Sequence, residues 1–172
     1  MPPMPPSGDS PTTTYTDPTT PTELPEQEES ALPTPTNQAG SGRVIDVTVG
    51  KDDQLTYEPA DILASVGDIV RFHFVSKNHT VTQSSRNDPC NPLADLTGFD
   101  SGFQPIEAGS GAEKTFEVTV TQDEKPIWFY CQQFVPAKGL SHCQLGMVGA
   151  INADRTGQNS LNAFITRASS SD

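Results

Sequence analysis

The stretch SHCQLGM, residues 141 to 147, sets His142, Cys143 and Met147 within six positions. An imidazole nitrogen, a thiolate and a thioether are the donors that soft and borderline transition metals take. His142 and Cys143 are neighbours, and neighbours in extended chain point to opposite sides. Only one of the two can therefore join a common site. Upstream, His79 follows a strand-like run that ends near Val75, and Cys131 closes the run IWFYC. Two histidines, one thiolate and one thioether can thus converge from separate places in the chain.

The histidine count narrows the chemistry. There are three, His73, His79 and His142, too few for a multicopper cluster. No H-E-x-x-H helix motif is present, nor G-x-S-x-G, a P-loop, a dinucleotide fingerprint or C-x-x-C. The set His79, Cys131 and His142 with Met147 as a weak axial donor is that of a type 1 copper centre. Thiolate and thioether favour Cu(I), and imidazole suits both Cu(I) and Cu(II). Met147 also reads as a core residue, since GMVGAIN has the texture of a strand. His73 alternates with Phe72 and Phe74 beside Arg71 and reads as structural or solvent-facing.

These residues need a scaffold to hold them. RVIDVTVG, DIVRFHFV and KTFEVTV alternate apolar and polar residues, and PIWFYC and GMVGAIN are short apolar runs. Period-two runs broken by Gly, Pro and Asp predict an all-β antiparallel sandwich or barrel over residues 43 to 155. Residues 1 to 42 hold ten of the sixteen prolines, six acids and no Lys or Arg. With almost nothing apolar to bury, this Pro/Ser/Thr-rich arm is expected to be disordered, in the manner of a surface spacer. In residues 156 to 172, SLNAFITRA spaces Leu161, Phe164 and Ile165 for a short helix packed on the domain. A formal charge of -12 and a pI near 4.4 disfavour nucleic acid and anionic membranes as partners. No apolar run reaches the length of a membrane span. MPPMPPSGDS shows no signal-peptide pattern.

IWFYC followed by HCQLGM resembles the phytocyanin branch of the cupredoxins, a Greek-key β-sandwich family. NHTVTQSSRNDPCNPL and the later GFDSGF sharpen the resemblance towards fungal extracellular, serine-rich cupredoxin-domain proteins. The resemblance implies one copper per domain, held by His79, Cys131, His142 and Met147. It also implies a disulfide between Cys90 and Cys143, which turns the Cys of the His-Cys pair away from the metal. Pairing Cys131 with Cys143 would instead leave Cys90 idle and remove the thiolate. Two departures from the family stand out. The ten residues QQFVPAKGLS separate Cys131 from His142, a longer loop than is usual. Thr80 occupies a position that is often Asn, whose role is to pin the ligand loops.

The expected function is single-electron transfer outside the cell or at its surface, by a monomer with an unidentified redox partner. A filled ligand set offers no open position for substrate, so an enzyme is not expected. The exposed edge of His142 is the expected electron exit, with Phe134, Val135 and Pro136 as an apolar patch beside it. The alternative is a surface or cell-wall module with a structural, copper-storage or copper-sensing role. Trp128, Phe129 and Tyr130 read as core. Asn78 begins a glycosylation sequon, but a glycan there would crowd the site.

Overall fold

The computed structural model describes residues 42 to 171, so the expected disordered arm lies outside the described residues. The alternating runs become strands as predicted. In β1 (Val44–Val49), Val47 and Val49 are buried while Asp46 faces out. In β4 (Ile69–Phe74), Val70, Phe72 and Phe74 turn inward, with Arg71 and His73 on the other face. β8 (Lys114–Thr119) is the solvent-washed edge, burying Val118. With the short β2 (Tyr57–Glu58) they form one sheet in the order β2-β1-β4-β8, in which β1 and β4 run parallel and β4 and β8 antiparallel.

The second sheet has the order β3-β12-β9-β6, from β3 (Asp61–Ile62), β6 (Thr82–Ser84), β9 (Ile127–Tyr130) and β12 (Val148–Ile151). The two sheets pack face to face into the expected all-β sandwich, but not into the purely antiparallel one that the alternation suggested: β1 with β4 and β3 with β12 pair in parallel. Phe72 of the first sheet and Phe129 of the second meet edge to face at 5.3 Å, and Tyr57 meets Phe129 at 5.0 Å. Such offset contacts between rings fix orientation as well as area. Gly149 is required opposite Phe129, because a Cβ there would lie 2.3 Å from the ring.

β9 and β12 are buried on both faces, which explains why their sequences read as unbroken apolar runs. Ile127, Phe129 and Cys131 point into the sandwich. Trp128 and Tyr130 point the other way, into a second apolar layer with Phe164 and Ala168. Those last two belong to α1 (Leu161–Ala168), the short C-terminal helix anticipated from SLNAFITRA. Ser160 caps it by accepting from the Ala163 amide, as an N-cap serine does. The side chains of Trp128 and Phe164 stack at 4.5 Å.

Two small strand pairs complete the scaffold at one end. β5 (Lys77–His79) pairs with β7 (Gln104–Ile106), and the hairpin of β10 (Phe134–Val135) and β11 (Leu140–Ser141) occupies the long loop after Cys131. Among the described residues no helix is long and apolar enough to cross a membrane.

Candidate metal centre

Each candidate donor arrives on a separate element. His79 ends β5, Cys131 follows β9, and His142 follows β11. Cys131 continues the inward face of Ile127 and Phe129, so its sulfur enters the sandwich end by simple alternation. His142 is returned by the hairpin, its amide donating to the Gln133 carbonyl at 2.7 Å. Gly146, with φ of 94°, turns the chain so that the Met147 amide donates back to the His142 carbonyl at 2.8 Å. The Cys131 amide in turn donates to the Met147 carbonyl at 3.1 Å.

The neighbouring residues His142 and Cys143 part as extended geometry requires. Nδ1 of His142 lies 3.4 Å from Cys131 Sγ and 3.2 Å from His79 Nδ1, and the third side, His79 Nδ1 to Cys131 Sγ, is 3.7 Å. Cys143 turns instead into the apolar layer beneath α1, where it is disulfide-bonded to Cys90. Cys131 is the free cysteine. Met147 is fully buried in the same core cluster as Cys131 and is tied by its backbone to both Cys131 and His142. His73 stands apart on the outer face of β4, its Nε2 2.7 Å from Asp46 and its Nδ1 2.6 Å from Glu113.

The three facing atoms fit a metal ion. A point equidistant from atoms at these separations lies about 2.0 Å from each, close to the bonds of about 2.0–2.1 Å to imidazole and about 2.3 Å to thiolate that a zinc-sized ion makes. Burial and then the Lys77 charge hold His142 down at about 4, and burial, the His142 ring and Lys77 do the same to His79. Both imidazoles are therefore neutral at pH 7, as ligands must be. Burial pushes the Cys131 thiol up to about 11, against the opposing pull of the Thr80 and Gln133 amides. His79, Cys131 and Met147 have no exposed surface, and His142 keeps only 5 %. The His142 edge is thus recessed in a cleft rather than openly exposed.

Several residues that frame this site carry no sequence signal of their own. Gly50, with φ of 80°, backs the His79 ring, and a Cβ there would lie 2.8 Å from His79 Nε2. That nitrogen is buried without a hydrogen-bond partner among the described residues. Thr80, noted in the sequence as a departure, does pin the loops: its amide donates to Cys131 Sγ at 3.4 Å and its hydroxyl accepts from the Gln132 amide at 2.9 Å. The Thr80 and Thr82 hydroxyls lie 3.0 Å apart, and Thr82 donates to Asp100 at 2.9 Å. Gln132 Nε2 donates to Thr82 at 2.7 Å. Tyr57 fixes the Thr80 carbonyl from within the core at 2.6 Å. The Asn78 amide nitrogen donates to Gln133 at 2.9 Å, so the sequon nitrogen is already engaged in joining two ligand loops.

No protein-family model matches the chain. It is 35 % identical over 119 residues to an extracellular serine-rich protein of Arthroderma benhamiae, covering 69 % of this chain and 43 % of that protein. It is 30 % identical over 124 residues to a probable GPI-anchored cupredoxin of the same organism, covering 72 % of this chain and 58 % of that one. The chain thus spans about half the length of the curated relatives it matches. Among solved structures it resembles auracyanin A of Chloroflexus aurantiacus, described as a blue copper protein, with TM-score 0.42, 16 % identity, and coverage of 63 % of this chain and 95 % of that chain. A mutant fern plastocyanin gives TM-score 0.41, 19 % identity and coverage of 62 % and 97 %.

Proposed function

We propose that this chain, a cupredoxin-like protein akin to fungal extracellular proteins, holds one copper ion between His79, Cys131, His142 and Met147. The supporting observation is the convergence of two imidazole Nδ1 atoms and one thiol sulfur within 3.7 Å of one another, at a buried position. Copper bound there would supply a one-electron Cu(II)/Cu(I) couple. The chain's own part is to keep the donors in one arrangement through both oxidation states.

Three features support that part. Cys131 and Met147 adjoin β9 and β12 of the sandwich, so their positions are set by the core rather than by the ion. Thr80 bonds both the sulfur and the residue after it, restraining the thiolate. The Cys90–Cys143 disulfide anchors the residue next to His142 to the layer beneath α1. Four protein donors leave no position for a substrate, so the reading is an electron carrier rather than an enzyme.

We place this carrier outside the cell or at its surface. The disulfide fits an oxidising compartment, and the Pro/Ser/Thr-rich arm has the composition of a spacer. The same two observations also fit a surface module in which copper is stored or sensed.

The test is the visible spectrum after adding Cu(II), beside a Cys131→Ser control. An intense blue band absent from the control is the expected result. A colourless wild-type protein would refute the copper–thiolate reading and leave the fold without this function.

A further inference from the structure

The loop between Cys131 and His142 has ten residues. It folds as the β10–β11 hairpin and forms one wall of a cleft of about 700 Å³ whose lining includes His142. The opposite wall comes from the turn around Asp53 to Thr56, and Lys77 lies between. Leu55, Val135 and Leu145 give the cleft apolar surface.

Its charge runs against that of the molecule. On a chain of net charge -12, the cleft brings together Lys77 and Lys138 against a single carboxylate, Asp53. Among the described residues neither ammonium lies within ion-pair distance of a carboxylate. Lys77 is held in place: its φ is 53°, and its ammonium donates to the Asp53 backbone carbonyl rather than to that residue's side chain. Lys138 sits on the hairpin turn, its amide donating to the Val135 carbonyl at 3.0 Å.

We infer that this cleft binds a small organic anion with an aromatic or other apolar body, its charge between Lys77 and Lys138 and its body against Leu55, Val135 and Leu145, beside His142. The volume lies within the range of about 300–1,000 Å³ that small-molecule sites occupy. Two ammoniums without a carboxylate partner select a negative group, and the Leu55, Val135 and Leu145 side chains favour a ring over a bare inorganic ion. The inference deepens the copper reading, on which it rests for what the anion does at His142: it assigns the chemical class of the small partner that meets the metal's recessed edge. Binding itself needs no metal, so the two readings fail separately.

The test is an amide NMR titration of the copper-free protein with benzoate, with acetate and benzyl alcohol as probes lacking the ring and the charge. Saturable shifts at Leu55, Lys77, Lys138 and Leu145, stronger for benzoate than for either comparator and weakened by salt, are the expected result. Lys77→Asn, which tolerates the left-handed backbone, and Lys138→Gln should each weaken benzoate by about two- to fivefold, the worth of a partly exposed ion pair. Equal binding of acetate or of benzyl alcohol would overturn the inference. So would shifts no larger at these positions than at a remote lysine such as Lys125, or an unchanged affinity in both variants. The outcome does not depend on the blue band, which tests the copper reading alone.

Discussion

The Thr80 amide donates to Cys131 Sγ at 3.4 Å, while the Thr80 hydroxyl accepts the amide of the very next residue, Gln132, at 2.9 Å. One residue thereby restrains both the sulfur, through its backbone, and the strand end that carries it, through its hydroxyl. Thr80→Val keeps the shape and the amide but removes the acceptor, leaving the Gln132 amide unpaired. We expect a loss of about 1 kcal/mol in the denaturant stability of the copper-free protein, the worth of one hydrogen bond to a partly buried donor, largely restored by Thr80→Ser. A change of under about 0.5 kcal/mol, the range of ordinary surface substitutions, would mean the hydroxyl does not hold the loop.

Metal loading should release protons from one identifiable group. With the Cys131 thiol pushed up to about 11 and His79 and His142 held at about 4, a thiol proton is the one that must leave at pH 7. About one proton per bound ion is expected, since only the thiolate ligates. Cu(II) titration in weak buffer with an indicator dye reads it directly, and Cys131→Ser should abolish it. Wild-type loading with no proton released would exclude Cys131 as a ligand.

The layer beneath α1 should carry real stability. Phe164 is fully buried and stacks on Trp128 at 4.5 Å, so Phe164→Ala should cost about 3–5 kcal/mol. Equilibrium unfolding with the disulfide intact measures it. A cost below about 1 kcal/mol, typical of lightly packed sites, would show the helix only resting on the sheet.

His73 gives the outer sheet face a pH dependence. Bonds to Asp46 and then Glu113 raise its pKa above the ordinary histidine value, with Arg71 nearby pairing Glu117. A raised folded pKa means the contribution is complete below the unfolded value of about 6.5 and fades as pH climbs through the folded one. The stability gap between wild type and His73→Ala, measured without copper, should therefore be larger at pH 5.5 than at pH 9, as conditions of measurement. A gap that widens with pH would reverse the assignment. Comparing the two proteins cancels the titration of His79 and His142.

What the sequence by itself determined were the features written in short-range pattern. Alternation in β1, β4 and β8 named the inward residues, because a strand's two faces follow from a period of two. The helix at Leu161 to Ala168 was legible from the spacing of Leu161, Phe164 and Ile165. The donor types His, Cys and Met, with their order along the chain, limited the chemistry to a soft-metal site.

The tertiary structure decided what depends on residues far apart in sequence. His79 and His142 are 63 positions apart, and only the folded chain, with Asn78 bonded across to Gln133, brings their nitrogens to 3.2 Å. Which of His142 and Cys143 faces inward follows from the layer beneath α1, which claims Cys143 for its bond to Cys90. IWFY looked like plain core, but being buried on both sides it sends Phe129 and Cys131 one way and Trp128 and Tyr130 the other. Gly50, Thr82, Asp100 and Lys77 carry no motif, since their roles exist only as distances to residues elsewhere in the chain. The recessed cleft at His142 likewise comes from a loop whose length was visible in sequence and whose fold was not: pairing between Phe134 and Ser141 turns ten residues into a wall.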